Sequence, residues 1–160
     1  MDFVLLPGYD RLEEMKELFT EYTQSLVEGD EEFGHYLKVQ NFDYELSHLL
    51  EKYGPPRGRL YLAYQGEALA GCAALKEMDG ERCEIKRVYV RPAFRGQGLG
   101  KVLTQRIIDD AREVGYRHML LDTFPFLERA IAMYRKLGFY EIPRYNDSPM
   151  TRAVYLELDL

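Results

Sequence analysis

Residues 88–101 read VYVRPAFRGQGLGK, and this stretch decides the fold of the chain. Its first part has the apolar character of a strand and stops at Pro92, which cannot donate to a strand ladder. Its last part opens a helix, because apolar residues recur on one helical face at Leu99, Val102, Leu103, Ile107, Ala111 and Val114. Gly115 is a natural end for that helix. The sequence therefore predicts a strand, a glycine-rich turn and a helix in succession.

Glycine-rich turns before helices often hold phosphates, and residues 95–101 can be compared with three such loops. The dinucleotide fingerprint G-x-G-x-x-G fails on spacing, since the glycines stand at 96, 98 and 100. The triphosphatase loop G-x-x-x-x-G-K-[ST] fails because Arg95 replaces its first glycine and Val102 its Ser or Thr. In the third kind, glycines let the backbone approach a pyrophosphate at the positive end of a helix. A plain strand-to-helix turn is the alternative interpretation.

The pattern of apolar residues changes on either side of this stretch. Before it, period-two runs joined at 65–66 and 78–81 predict antiparallel strands; after it, strands and helices alternate. Strands are predicted at 3–6, 59–64, 68–75, 82–91, 119–123, 139–142 and 153–158, and helices at 12–26, before 50, at 99–114 and at 125–137. The order β-α-α-β-β-β-α-β-α-β-β is that of an α/β fold with a mixed sheet, and we expect residues 1–160 to form a single domain.

Charge is distributed unevenly along the chain. The net charge of −6 argues against a nucleic-acid partner. Residues 1–55 carry 13 acids against 4 bases, whereas residues 82–106 carry 7 bases against one acid, Glu84. Positive charge concentrated around a glycine-rich loop is expected to hold a small polyanion. A solvated basic face would give the same pattern.

Other residue types exclude several classes of protein. No stretch approaches the roughly 20 apolar residues of a membrane span, and the N-terminus lacks the basic start of a signal peptide. Cys72 and Cys83 form no CxxC pair, and His35, His48 and His118 are widely spaced. We therefore expect no disulfide framework, no metal site and no membrane partner, and a reducing cytoplasm is the simplest location.

Two motifs resemble those of the GNAT family of N-acetyltransferases. Residues 95–100 match its [Q/R]-x-x-G-x-[G/A] signature, after a strand at 84–92 that looks like the family's fourth. Residues 132–139, AMYRKLGF, look like its helix ending in Tyr-x-Lys-x-Gly-Phe. The motifs stand about 40 residues apart in the family's order. Leu127 is a departure, because many relatives have there an asparagine that contacts the pantetheine arm.

The resemblance implies acetyl-CoA as cosubstrate. In the family the backbone of the fourth strand pairs with the pantetheine arm, which here points to Val88 and Val90. The backbone amides of the loop would hold the pyrophosphate; its residues are Arg95, Gly96, Gln97, Gly98, Leu99, Gly100 and Lys101. Whether the donor carries acetyl or a longer acyl group stays open.

Acyl transfer to an amine needs a proton acceptor and a proton donor, since the amine must lose a proton and the leaving thiolate gains one. Glu84 alternates in step with Lys86, Val88 and Val90 on the strand. Some relatives carry a general-base glutamate at the matching position, acting directly or through water; pairing with a neighbouring base is the structural alternative. Tyr134 resembles the family's tyrosine that protonates the thiolate, and a core aromatic is its alternative.

The family's acceptor site corresponds to residues 22–44 and 145–151 here. Acids near aromatic side chains in the first range favour a cationic amine, namely Glu28, Asp30, Glu31 and Glu32 with Phe33, Tyr36, Phe42 and Tyr44. A solvated acidic loop over core aromatics is the other interpretation.

The resemblance implies an enzyme that acetylates a primary amine of a small molecule or peptide by direct attack in a ternary complex. A catalytically weak acyl-CoA sensor or interaction module on the same fold is the alternative. Relatives often dimerise through their C-terminal strands, so a homodimer is compatible with the resemblance.

Overall fold

A computed structural model of the chain describes residues 2–29, 42–147 and 152–160. Within these ranges one sheet contains seven strands: β1 Val4–Pro7, β2 Arg59–Gln65, β3 Ala68–Glu77, β4 Arg82–Val90, β5 His118–Thr123, β6 Tyr140–Glu141 and β7 Val154–Asp159. The same ranges contain the α-helices α1 Leu12–Gly29, α2 Phe42–Ser47, α3 Leu49–Tyr53, α4 Leu99–Val114 and α5 Glu128–Lys136. The predicted order is confirmed, with the second helical region described as two short helices.

The strands lie in the order β1-β2-β3-β4-β5-β7-β6 across the sheet. Neighbouring strands are antiparallel except for β4 and β5, which run parallel because α4 carries the chain back across the sheet. The prediction of an α/β fold with a mixed sheet is therefore confirmed. The strand predicted at 139–142 is shorter, since β6 pairs with β7 only through Tyr140 and Glu141.

Helices cover the sheet on both sides. On one side, which we call the α4 face, α4 and Tyr134 of α5 pack on strand residues that include Cys83, Ile85, Met119 and Leu121. On the other, the α1 face, α1 and α3 pack on strand residues that include Leu60, Leu62, Cys72, Ala74 and Tyr89. Among the described helices, none is long and apolar enough to cross a membrane.

A bulge in β4 reverses the alternation of its side chains. Ala74 pairs with Lys86 and Cys72 with Tyr89, so that Arg87 and Val88 together oppose one residue of β3. Arg87 has a left-handed φ of 57° and contacts α2 on the α1 face. After the bulge, Val88 and Val90 pack on the α4 face, as Ile85 does before it.

Strands β4 and β5 separate partway along their length. They pair at Arg82, Cys83 and Glu84, opposite residues 118–120, but β4 continues to Val90 and β5 to Thr123. We call the gap between them beyond Glu84 the β4–β5 opening. In the described part of the chain no strand pairs with β4 across this opening, so one edge of its backbone is available to a ligand there.

Candidate active site

The glycine-rich loop forms the exposed approach to the N-terminus of α4. Gly96 and Gly98 both have φ of 82°, a left-handed conformation that a side chain disfavours. Gly98 precedes the helix and its carbonyl accepts from the Val102 amide at 3.1 Å. The first amides of the helix therefore point outward, where the partial positive charge of the helix end favours an anion.

Two side chains fix the ends of this loop. Arg95 Nε donates to the Val90 carbonyl at 3.0 Å, and its guanidinium lies 5.9 Å from the centre of the Tyr89 ring. Gln97 Oε1 accepts from Gln65 Nε2 at 2.9 Å. The loop is thus attached to the end of β4 and to the β2–β3 turn, while its amides stay exposed.

The loop leads directly toward the β4–β5 opening. A Cβ added at Gly100 would lie 3.7 Å from Met133 Sδ on α5 and 4.0 Å from Val90 Cγ2 on β4. The start of α4, the side of α5 and the end of β4 therefore converge within van der Waals distance. An extended ligand whose phosphates lie at the loop would run along this line.

Glu84 lies at the last paired position of β4, at the start of the opening. Its side chain is 6% exposed, accepts a 2.7 Å hydrogen bond from Tyr145 Oη and lies 3.6 Å from Lys76 Nζ. Burial alone would raise the pKa of Glu84, but Lys86, Tyr145 and Lys76 together outweigh it and lower that pKa. Glu84 is therefore ionised at neutral pH, as the predicted proton acceptor must be.

Tyr134 reaches the opening from the α4 face. It is 8% exposed and packs edge-on against Phe139, with ring centres 5.4 Å apart. Burial raises the pKa of Tyr134, and an electrostatic interaction with Tyr22 raises it further. Tyr134 therefore stays protonated at neutral pH, as a proton donor must.

Tyr22, which raises the pKa of Tyr134, lies on the other side of the sheet. Tyr22 belongs to α1 and stacks at a tilt on Tyr89, with ring centres 5.5 Å apart, on the α1 face. Tyr134 packs on the opposite face. Burial raises the pKa of Tyr22 to about 12, so both phenols are protonated at neutral pH.

The predicted alternation of Glu84 with Val88 and Val90 is wrong. Because Arg87 occupies an extra position in β4, Glu84 and Lys86 face α1 whereas Val88 and Val90 face α4. Glu84, the predicted proton acceptor, and the side chains of Val88 and Val90 therefore lie on opposite faces of the sheet at the opening.

Other predicted positions fall outside the site or outside the described residues. Leu127, the departure from the family pattern, packs with Leu26 and Phe124 before the start of α5. The predicted acceptor acids Asp30, Glu31 and Glu32, with Phe33 and Tyr36, lie outside the described ranges, as does the end of the loop at 148–151.

Two residues near Glu84 belong to the range 145–151 assigned to the acceptor site, but their contacts were not predicted from sequence. Tyr145 belongs to a loop without periodicity, and it packs edge-on against Tyr155 with ring centres 5.3 Å apart. Asn146 beside it donates to Asp122 on β5 at 3.0 Å. These contacts hold the loop over the α1 face of the opening. These contacts join segments that are far apart in sequence, so the local pattern of residues could not predict them.

A buried ion pair holds α2 against the bulge. Arg87 Nε and Nη2 each donate to Glu45 at 3.0 Å, and Glu45 also contacts Lys52 of α3. Burial would raise the pKa of Glu45, but Arg87 and Lys52 lower it to about 2. The pair was missed because Glu45 reads as one more acid in an acidic segment.

Comparisons with known proteins agree with this geometry. Residues 12–139 match the model of the acetyltransferase (GNAT) family. An uncharacterised N-acetyltransferase of Schizosaccharomyces pombe is 38% identical over 151 residues, covering 93% of this chain and 88% of that protein.

Solved structures share the fold. An acetyltransferase of Streptococcus agalactiae superposes with a TM-score of 0.77 at 21% identity, over 99% of this chain and 98% of that one. A GNAT family acetyltransferase of Elizabethkingia anophelis, solved with acetyl-CoA bound, has a TM-score of 0.57 at 27% identity, over 65% of this chain and 77% of that one.

Proposed function

The chain belongs to the acetyltransferase (GNAT) family, and from that premise we propose that it transfers the acetyl group of acetyl-CoA to a primary amine in a ternary complex. The observation that carries the proposal is the β4–β5 opening, with Glu84 on its α1 face and Tyr134 reaching it from its α4 face. A proton acceptor and a proton donor on opposite sides suit an amine that enters from one side and a thiol that leaves on the other.

On the donor side, the exposed loop and the free edge of β4 fit CoA. The amides of residues 95–101, at the N-terminus of a 16-residue helix, would hold the pyrophosphate. Lys101 beside them is exposed and adds positive charge. The backbone of Val88 and Val90 would pair with the pantetheine arm along the edge that β5 leaves unpaired. Bound acetyl-CoA supplies an acetyl group already activated as a thioester.

At the reacting centre, Glu84 accepts the proton of the attacking amine. An alkyl ammonium has a pKa near 10 and no lone pair, so the free amine is the nucleophile. As the carbon–nitrogen bond forms, the nitrogen becomes positively charged and its pKa falls, and Glu84 takes a proton from it, directly or through one water. The proton of the Tyr134 hydroxyl goes to the sulfur as the carbon–sulfur bond breaks.

A second candidate is an acyl-CoA-binding module without efficient catalysis. The observation that favours it is that Glu84 is already engaged by Lys76 and Tyr145. Pairing of this kind stabilises the carboxylate and weakens it as a base.

Thiol release from acetyl-CoA across a panel of primary amines separates the two candidates. Amine-dependent release with stoichiometric N-acetylated product, detected by mass spectrometry, supports the enzyme. Initial rates with both substrates varied should give intersecting double-reciprocal lines, as a ternary complex requires. Parallel lines would contradict direct attack, and tight CoA binding without turnover of any amine would support the binding module.

A further inference from the structure

On the α1 face beside Glu84, cationic side chains outnumber carboxylates. Four cations lie together with the carboxylates of Glu45 and Glu84 on this face; we call them the cationic cluster, and they are Lys52, Lys76, Lys86 and Arg87. Among the described residues of this group the excess is therefore two positive charges. Such an excess is unexpected in a chain of net charge −6 and indicates an anionic ligand.

Both carboxylates of the group are already engaged. Glu45 binds Arg87 through two hydrogen bonds and also contacts Lys52. Glu84 is engaged by Lys76 and by Tyr145. Across the opening, the carboxylate of Asp122 accepts from Asn146.

Lys86 acts on Glu84 through its charge, which is the largest contribution that lowers the pKa of that carboxylate. Lys86 is half-buried, and within the described ranges no hydrogen bond or ion pair of its ammonium group is found. Burial and then repulsion by Lys86 lower the pKa of the neighbouring Lys52 to about 8. Two ammonium groups that repel each other in a partly buried place are stabilised by an anion between them.

The position of Lys86 relative to Glu84 limits the size of that ligand. Both side chains leave β4 on the α1 face, two residues apart before the bulge, so their Cα atoms are about 7 Å apart. A molecule whose amine faces Glu84 and whose anionic group faces Lys86 has the two groups separated by one to a few carbon atoms.

We propose that the amine acceptor is an amino acid or a close analogue, whose carboxylate binds Lys86 and Lys52 while its amine faces Glu84. The proposal rests on the N-acetyltransferase function proposed above and names the acceptor class for that site. It differs from the cationic acceptor expected from the acids at 28–32, most of which lie outside the described residues.

Matched acceptor pairs that differ only by a carboxylate test the proposal. L-phenylalanine is compared with 2-phenylethylamine, L-norvaline with butylamine, and L-ornithine with putrescine, at about pH 8 so that Glu84 stays ionised in every variant. For at least one pair, the wild-type KM of the amino acid should be about tenfold lower or more, the equivalent of one modest ionic contact.

Substitution of Lys86 should remove this preference. Lys86→Met should raise the KM of the amino acid about tenfold relative to that of its decarboxylated amine. Because the charge of Lys86 also lowers the pKa of Glu84, a change in kcat should be shared by both members of a pair. Lys86→Arg should retain most of the preference. Lys16→Met is the control, because Lys16 on α1 is 35% exposed and pairs with Glu13 away from the opening.

Two outcomes separate the proposal from the function on which it rests. Efficient acetylation of amines with no preference for the carboxylate, or a preference that Lys86→Met leaves unchanged, overturns the acceptor class alone. If no amine is acetylated, calorimetric titration with N-acetyl-L-phenylalanine and N-acetyl-2-phenylethylamine in the presence of CoA decides. Tighter binding of N-acetyl-L-phenylalanine that is lost in Lys86→Met supports the anion site. Equal affinities of the wild type for the two N-acetyl compounds overturn it.

Discussion

The hydroxyl of Tyr145 donates a 2.7 Å hydrogen bond to Glu84 Oε2, across 61 residues of sequence. The bond ties the loop after β6 to β4 at the point where β4 and β5 separate. It also acts on the carboxylate, because a donor to the charged form lowers the pKa of the acid. This hydrogen bond therefore holds the loop beside the opening and also lowers the pKa of the proposed proton acceptor.

Substitution Tyr145→Phe should shift the acid limb of the rate profile toward higher pH. Glu84 has a lowered pKa, so it is ionised down to pH values below those of a free glutamate. Loss of the donor raises that pKa, by about one to two units for a single hydrogen bond to a charged group. The measurement is kcat/KM for the amine between about pH 4 and pH 7.

Tyr140→Phe is the matched control for this substitution. Tyr140 also donates to carboxylates, those of Glu157 and Asp159, but at an exposed edge of the sheet. An acid limb unchanged in Tyr145→Phe, or moved equally in both variants, would show that the hydrogen bond does not tune Glu84.

Substitution Glu84→Gln tests the proton acceptor itself. We expect a loss of about 100-fold in kcat/KM at neutral pH, the lower end for a general base. The loss should shrink as pH falls through the pKa of Glu84, because the wild-type carboxylate is then protonated. Glu77→Gln is the control, because Glu77 pairs with Arg57 at the exposed end of β3. Wild-type rates for Glu84→Gln when chemistry limits turnover would leave Glu84 with a structural role only.

Substitution Tyr134→Phe should lower kcat by about 100-fold with little change in CoA affinity. The ring and its packing on Phe139 are retained, and only the proton donor is lost. Tyr116→Phe removes another buried hydroxyl, which donates to the Arg57 carbonyl at 2.9 Å outside the opening. A kcat loss shared by both variants would point to a general effect of removing a buried hydroxyl.

The fold was predictable from sequence because its signals are local. Pro92 ends a strand, Gly98 and Gly115 flank a helix with one apolar stripe, and 78–81 form a turn, so each element is specified by its own neighbours. The roles of Glu84 and Tyr134 could be proposed because the strand and the helix that carry them resemble those of the family.

The remainder of the site depends on contacts between distant segments. The bulge at Arg87 is stabilised by an ion pair with Glu45, 42 residues earlier. The residues of β4 alone do not predict that the alternation of side chains reverses there. Tyr145 reaches Glu84 from an irregular loop. The period-two pattern therefore placed Glu84 correctly on β4, but it wrongly predicted that Val88 and Val90 lie on the same face of the sheet as Glu84.

Substitution Gly98→Ala should weaken CoA binding. The φ of 82° at Gly98 costs a residue with a side chain about 1–2 kcal/mol, so the loop would turn away from the conformation that exposes its amides. We expect the Kd of CoA to rise about tenfold and the KM of the amine to stay unchanged. In the control Gly80→Ala, the added Cβ has nothing within 4 Å. Equal CoA affinity in both variants would argue against the loop as the pyrophosphate site.

Substitution Glu45→Gln should destabilise the fold in a pH-dependent way. Burial opposes ionisation of Glu45, yet Arg87 and Lys52 lower its pKa from 4.5 to about 2. A lowered pKa means stabilisation that is present above about pH 4.5 and lost as pH falls toward 2, on the order of 3 kcal/mol. Removal of the charge also leaves Arg87 buried opposite a neutral amide, so about 3–5 kcal/mol should be lost at pH 7.

Urea unfolding of wild type and Glu45→Gln at pH 7, 5, 4 and 3 measures this contribution. The difference in unfolding free energy should be constant from pH 7 to 5 and shrink below about pH 4.5, because the wild-type carboxylate then becomes protonated in the unfolded chain. Glu13→Gln is the control, since Glu13 is 90% exposed in its pair with Lys16 and should cost less than about 0.5 kcal/mol. A difference for Glu45→Gln that is equally small, or that does not change down to pH 3, would mean that the ion pair under the bulge does not stabilise the fold.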